Sequence, residues 1–195
     1  MRTRHLLLSA AILASLTGCE PSASPLLLWE GSWQAAEPLF LDPAADSAYR
    51  AVQELRPGYE LDEIRAIVAA SSDVDYTSLE VTADTLTFLD GAETLCAGRY
   101  AAAGPDAGGT PGAAEHLTLV ETIEGDCGPY QSASLGGLVP EGDDVHFHIV
   151  TGPASGPSMP PPWNPAVWSE TMTPERFAAG LEAAAPNSAN LLPER

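Results

Sequence analysis

The stretch Val145-His146-Phe147-His148-Ile149-Val150-Thr151-Gly152, VHFHIVTG, alternates polar and apolar side chains with a period of two. That period marks a half-buried β-strand. Val145, Phe147 and Ile149 fall on one face, and His146 and His148 on the other. Alternate strand residues are roughly 6.7 Å apart at Cα. Two imidazoles at that spacing can converge on one metal ion, or can simply meet solvent.

Around this strand the chain reads as mainly β. Leu26–Trp33, LLLWEGSW, is predicted as a first strand. Asp42-Pro43 is a helix start, followed by the apolar face Ala48, Tyr49, Val52 and Leu55. Pro57-Gly58 ends that helix, and Leu61, Ile64, Ile67 and Val68 predict a second. Leu79–Val81 and Leu86–Phe88 flank a turn at Ala83-Asp84 and read as a hairpin. Strands are also predicted at 95–100, around Leu117 and Leu119, and within 132–139. Residues 101–114 and 152–165 have loop composition, and Thr173-Pro174-Glu175 opens a last helix carrying Phe177 and Leu181. Short helices, a run of antiparallel strands and a terminal helix predict a small barrel or strongly curved sheet.

The first residues read as a targeting segment. Met1–Arg4 is basic, Leu6–Leu16 is apolar but too short to span a bilayer, and Leu16-Thr17-Gly18-Cys19 follows. LTGC resembles the lipobox of bacterial lipoproteins. The resemblance implies cleavage before Cys19, which then carries acyl chains such as palmitate and anchors the protein to the membrane. Removal of 18 residues from the 195 leaves 177, enough for one domain with a real core. The formal charge of −19 becomes −21 when the leader's two arginines go. Such a surface repels nucleic acid and anionic lipid and favours cations, so no nucleic-acid partner is expected. With Cys19 acylated, Cys96 and Cys127 remain as a pair in an oxidising compartment. A structural disulfide is expected, since neither lies in a C-x-x-C motif.

Several short motifs occur together in a fixed order. They are Trp29-Glu30-Gly31-Ser32-Trp33, then Asp73-Val74-Asp75 before the hairpin, then His146-Phe147-His148 followed by Gly152, and finally Trp163 with Met172-Thr173-Pro174-Glu175. In this order the chain resembles the ZinT/YodA family of periplasmic zinc-binding, lipocalin-like proteins. The resemblance implies a lipocalin-like antiparallel β-barrel with short N-terminal helices and a C-terminal helix, in a lipoprotein form. It also implies a non-catalytic protein that binds zinc or cadmium through three histidines at the mouth of the barrel. Two of these carry over to His146 and His148. The third lies in a segment whose tyrosine and proline match Tyr130 and Pro140, but Gly136 stands at the histidine position. The family's histidine-rich N-terminal loop is also missing.

The expected site is therefore an incomplete one of His146 and His148, weaker than a high-affinity zinc store. His116 and Asp144 are further candidate donors, as are the loop carboxylates Glu141 and Asp143. His116 shares parity with Thr118 and suits a solvated strand face. Asp144 shares the histidines' face but lies roughly 13 Å from His148 in an ideal strand. The expected organisation is a leader at 1–18, a lipidated tether at 19–27, the metal-binding domain at 28–185 and a tail at 186–195. The alternative is a barrel lipoprotein that has lost the metal and binds a small ligand, or a protein partner through the loop around Trp163 and Trp168. An enzyme is not expected. A cupin-type dioxygenase carries a Glu shortly after its H-x-H, whereas Ile149-Val150-Thr151-Gly152 follow here. No G-x-S-x-G, H-E-x-x-H or phosphate-binding glycine loop is present. Glu20 rather than Asp follows Cys19, so in a host with two membranes the outer one, facing the periplasm, is expected.

Substituting Cys19→Ala in the native host is expected to release the protein from membrane fractions. Membrane retention of the variant after leader removal would show that Cys19 is not the anchor.

Overall fold

A computed structural model describes residues 24–102, 118–125, 127–153 and 165–195. A single 3-10 turn, Leu27–Trp29, precedes the first strand, β1 (Gly31–Ala35). The predicted strand over 26–33 thus gives way to a turn at its N-terminal half. Gly31, at φ +147°, makes the change of direction that an L side chain rarely allows. The Trp29 N–H donates to the Leu26 carbonyl at 2.9 Å, and the Trp33 indole donates to the Trp29 carbonyl at 2.8 Å. The two tryptophans of the motif therefore clamp the turn that separates them.

Three helices follow: α1 (Glu37–Leu41), α2 (Asp46–Leu55) and α3 (Leu61–Ala70). Asp42 caps the chain as expected, accepting from the Ala44 N–H at 2.8 Å. It opens a 3-10 turn at Pro43–Ala45, and α2 proper begins only at Asp46. Ala48, Tyr49 and Val52 are buried, but Leu55, in the last turn of α2, is exposed. The strands are β2 (Ser78–Val81), β3 (Thr85–Asp90), β4 (Glu93–Ala102), β5 (Thr118–Glu124), β6 (Ser132–Leu135), β7 (Val139–Glu141), β8 (Asp144–Gly152) and β9 (Ala166–Ser169). Helices α4 (Pro174–Ala183) and α5 (Ala185–Ala189) end the chain. Thr173 caps α4, with Pro174 in its first turn.

Among the described residues, the nine strands belong to one antiparallel sheet, ordered β6-β5-β4-β3-β2-β1-β9-β8-β7. A further pairing of β6 with β8, from Ser132↔Gly152 to Leu135↔Ile149, closes the sheet into a ring. Closure gives β6 a partner on each side and leaves an inside and an outside. Phe147, Ile149, Trp33, Leu79, Phe88 and Val167 fill the inside. Trp168, Ala166 and the apolar faces of the helices form a second core on the outside. The helices thus pack against one side of the ring as a separate layer.

The folded unit reaches past residues 28 and 185 in both directions. Leu26 is fully buried, and its N–H donates to the Ala83 carbonyl at 3.3 Å. Within 186–195, Ala189 and Leu192 are buried, Arg195 pairs with Glu63, and its guanidinium lies 3.8 Å from the centre of the Tyr59 ring. Among the described residues no helix is long and apolar enough to cross a membrane.

Two motif elements act in the core. Asp75 accepts from the Tyr130 hydroxyl at 2.6 Å, and the Tyr130 ring stacks on Phe88 with centroids 4.4 Å apart. Beside them Cys96 and Cys127 form the expected disulfide, with Cα atoms 5.2 Å apart and a sequence separation of 31. It ties β4 to the turn before Tyr130, whose carbonyl accepts from the Tyr100 hydroxyl.

The Cys96→Ala, Cys127→Ala double variant is expected to lose about 3–4 kcal/mol of stability in urea titration, as the chain-entropy account of a loop this size gives. Two freely alkylated thiols in native protein under denaturing conditions would exclude the bond.

Candidate metal centre

The β8 strand carries both histidines on the outer face of the ring. His146 pairs across the sheet with Trp168, and His148 with Ala166. Their side chains therefore face the helical layer, away from the interior that Phe147 and Ile149 occupy. This differs from the expected position at the barrel mouth. Between sheet and helices lies a cavity of about 320 Å³. His146, His148 and Glu141 line one wall, and Phe40, Trp168, Phe177, Gly180, Leu181 and Leu191 line much of the rest.

The two imidazoles stand perpendicular, with ring centres 5.6 Å apart. Two histidines on one tetrahedral zinc, with Zn–N near 2.0–2.1 Å, hold their ring centres roughly 5 Å apart. Small rotamer shifts would let this pair share an ion. His146 packs against Trp168 at 4.3 Å between centroids, and its Nδ1 is buried with no hydrogen-bond partner. Burial first, and the neighbouring His148 second, push its pKa down to about 4. At neutral pH the ring is thus uncharged, the form that binds a metal. Glu141 Oε2 lies 3.6 Å from that Nδ1. With a neutral ring this contact is not an ion pair, and it is too long for a hydrogen bond. Burial also raises the pKa of Glu141.

The other sequence-derived candidates divide. Asp144 shares the histidines' parity, but its buried carboxylate binds Arg176 of α4 and accepts from Thr171 Oγ1 at 3.1 Å. It fastens the start of α4 to β8. Asp143 is exposed in the turn between β7 and β8. His116, Cys19 and Trp163 lie outside the described residues. Gly136 donates its N–H to the His148 carbonyl at 2.8 Å, and a Cβ added there would sit 3.6 Å from His148 Cβ. A side chain at this position would start beside His148. The Gly136 carbonyl accepts from the Trp29 indole at 2.7 Å.

Among the described residues no three His, Cys, Asp or Glu side chains form a ready-made metal cluster. The donors present, two imidazoles and a nearby carboxylate, are of the type zinc accepts, and the buried, unpartnered Nδ1 is one of them. The proximity of Glu141 depends on a hairpin the sequence reading passed over. Glu141 pairs with Asp144 across the two-residue turn Gly142-Asp143, with Gly142 at φ +64°. Gly-Asp between two short polar-apolar runs was the available signal.

Scanned against protein-family models and against curated proteins, the sequence finds no match. Solved structures do match it. A Zn(II)-bound ZinT-like domain of AdcA from Streptococcus pneumoniae aligns with a TM-score of 0.57 and 18% identity, over 82% of this chain and 89% of that one. Zn(II)-bound AdcA from the same organism aligns with the same TM-score and identity, over 80% of this chain. The alignment spans 34% of AdcA itself. A closed antiparallel sheet with one helical layer on its outer face defines the architecture of this protein. That architecture is a ZinT-like fold.

The depressed pKa of His146 has a consequence for the metal-free protein. Below about pH 6.5 the unfolded chain protonates this histidine and the folded chain does not. Stability from this group is therefore complete above pH 6.5 and lost as pH falls toward 4. The raised pKa of Glu141 acts in the opposite direction over the carboxylate range. Thermal melts from pH 7 to 4 should show a smaller loss for His146→Gln than for wild type, and equal slopes would mean that His146 protonates freely in the fold.

Proposed function

We propose that this protein is a cell-envelope lipoprotein that binds a divalent metal, zinc or cadmium, without catalysing a reaction. The observation that carries the reading is the pair His146 and His148, facing one cavity with a buried, neutral imidazole whose Nδ1 has no partner. The ZinT-like fold supports it, since two similar solved structures are zinc-bound. The lipobox-like LTGC supports the envelope location, with the acyl chains on Cys19 as the membrane anchor. The three-histidine arrangement of the family is incomplete at Gly136, so the affinity is lower than three imidazoles would give. Zinc, when bound, is cargo held in exchangeable form, and the chain's part is to present neutral imidazoles and to shield the ion under the helices.

A second reading rests on the cavity wall. Phe40, Trp168, Phe177, Leu181 and Leu191 make most of it apolar, which suits a small apolar ligand. In that case the histidines would only edge the pocket, and the protein would have lost its metal.

Calorimetric titration of tag-free, metal-free protein separates the two. Zinc is expected to bind the wild type and not the His146→Ala, His148→Ala variant. Gly136→His is expected to tighten zinc by about tenfold or more, as a third imidazole completes the set. Equal zinc binding by wild type and double variant, or none by either, would favour the apolar-ligand reading.

A further inference from the structure

We propose that Glu141 is the third ligand of the metal site, taking the part that a histidine at position 136 does not play here. The inference rests on the zinc-binding reading of His146 and His148 and extends it to a residue on another strand.

Three observations converge on this carboxylate. The first is distance. Glu141 Oε2 stands 3.6 Å from His146 Nδ1. Two donors on one tetrahedral zinc are roughly 3.3 Å apart. The pair is already near ligand spacing and lacks hydrogen-bond geometry, and Nδ1 is buried without a partner. The second is the room made for it. A Cβ placed on Gly180 of α4 would lie 2.6 Å from Glu141 Oε1 and 3.4 Å from its Cδ. Any larger residue at 180 would push the carboxylate from its place, so the helix carries a gap where this side chain sits. The third is the fate of the neighbouring acids. Asp144 is held by Arg176 and Thr171, and Asp143 is exposed. Glu141 lines the cavity together with both histidines.

The two possible third positions lie on one edge of β8, at opposite ends of the pair. A side chain at 136 would start next to His148, whereas Glu141 stands next to His146. The site can therefore be completed from either end, with two nitrogens and one oxygen in this chain and a fourth position left for water. A carboxylate in place of an imidazole also adds a negative charge, which partly offsets the charge of a divalent ion in a partly buried setting.

Zinc titration of the mature chain, tag-free and metal-free, tests the proposal, with cobalt(II) absorption as a second readout of coordination. Glu141→Gln keeps the shape of the side chain and is expected to weaken zinc by about tenfold or more, with loss of intensity in the cobalt bands. Gly180→Ala should act in the same direction by displacing the carboxylate. Adding Gly136→His to Glu141→Gln is expected to restore binding from the other end. Wild-type zinc affinity and cobalt spectrum in Glu141→Gln, while the His146→Ala, His148→Ala variant has lost zinc, would overturn the role of Glu141 and leave the two-histidine reading intact. Zinc binding that survives loss of both histidines would overturn that reading, and the role of Glu141 with it.

Discussion

The pairing of β6 with β8 is the contact on which the rest of the structure depends. Without it the sheet is an open, strongly twisted ribbon with two free edges. With it, Ser132–Leu135 meets Ile149–Gly152 and the sheet becomes a ring. Ring closure turns the period-two alternation of β8 into a partition of space. Phe147 and Ile149 enter one core, while His146 and His148 turn toward the other. A shift of one residue in this register would exchange the two sets. Trp29 locks the junction from within, because its indole donates to the Gly136 carbonyl just where β6 leaves β8. It also approaches Phe147, with ring centroids 6.3 Å apart.

The helical layer gives the outer face its chemistry. Trp168, on the strand beside β8, packs on His146 from one side and meets Phe177 of α4 edge-on with centroids 5.6 Å apart. Water is displaced from one imidazole, which favours its neutral form. The helix is held in register by Asp144 and Arg176, an ion pair whose carboxylate is buried and whose guanidinium is about half exposed. Removing one partner of such a pair leaves a desolvated charge. The same strand thus supplies an anchor for α4 at Asp144 and metal-type donors at 146 and 148, all on one face.

The acidic character of the chain acts at two scales. Over the whole surface, a formal charge of −19 draws divalent cations toward the protein. At the cavity, most of the wall is apolar and the donor atoms are gathered at one side. Most of the acidic residues that set the long-range field therefore lie away from the cavity, and Glu141 is the one in its lining. The described salt bridges, such as Arg99 with Asp84 and Glu124, are mostly exposed and contribute little to stability.

How much of this was legible depends on the range of the interaction. Local periodicity in VHFHIVTG was enough to assign β8 and to separate its two faces, because the pleat forces alternation whatever the strand packs against. Cysteine arithmetic led to the Cys96–Cys127 bond, and Thr173-Pro174 to the start of α4, because both signals are chemical or nearly local. Leu26–Trp33 turns at Trp29 rather than running as one strand, because an apolar run carries no sign of where it turns, and the Trp29 indole bonded to the Gly136 carbonyl helps to fix that point. Leu55 has the spacing of a buried face yet is exposed, because helical spacing does not reveal where a neighbouring layer ends. The site follows the same division. By itself the sequence determined that His146 and His148 share a face and that no histidine stands at 136. Only the tertiary structure decided that this face looks into a cavity under α4, that Asp144 serves Arg176, and that Glu141 stands beside His146 opposite the gap at Gly180. The physical reason is that a side chain's parity is set by its own strand, whereas its partners are set by whichever elements the closed ring brings against that strand.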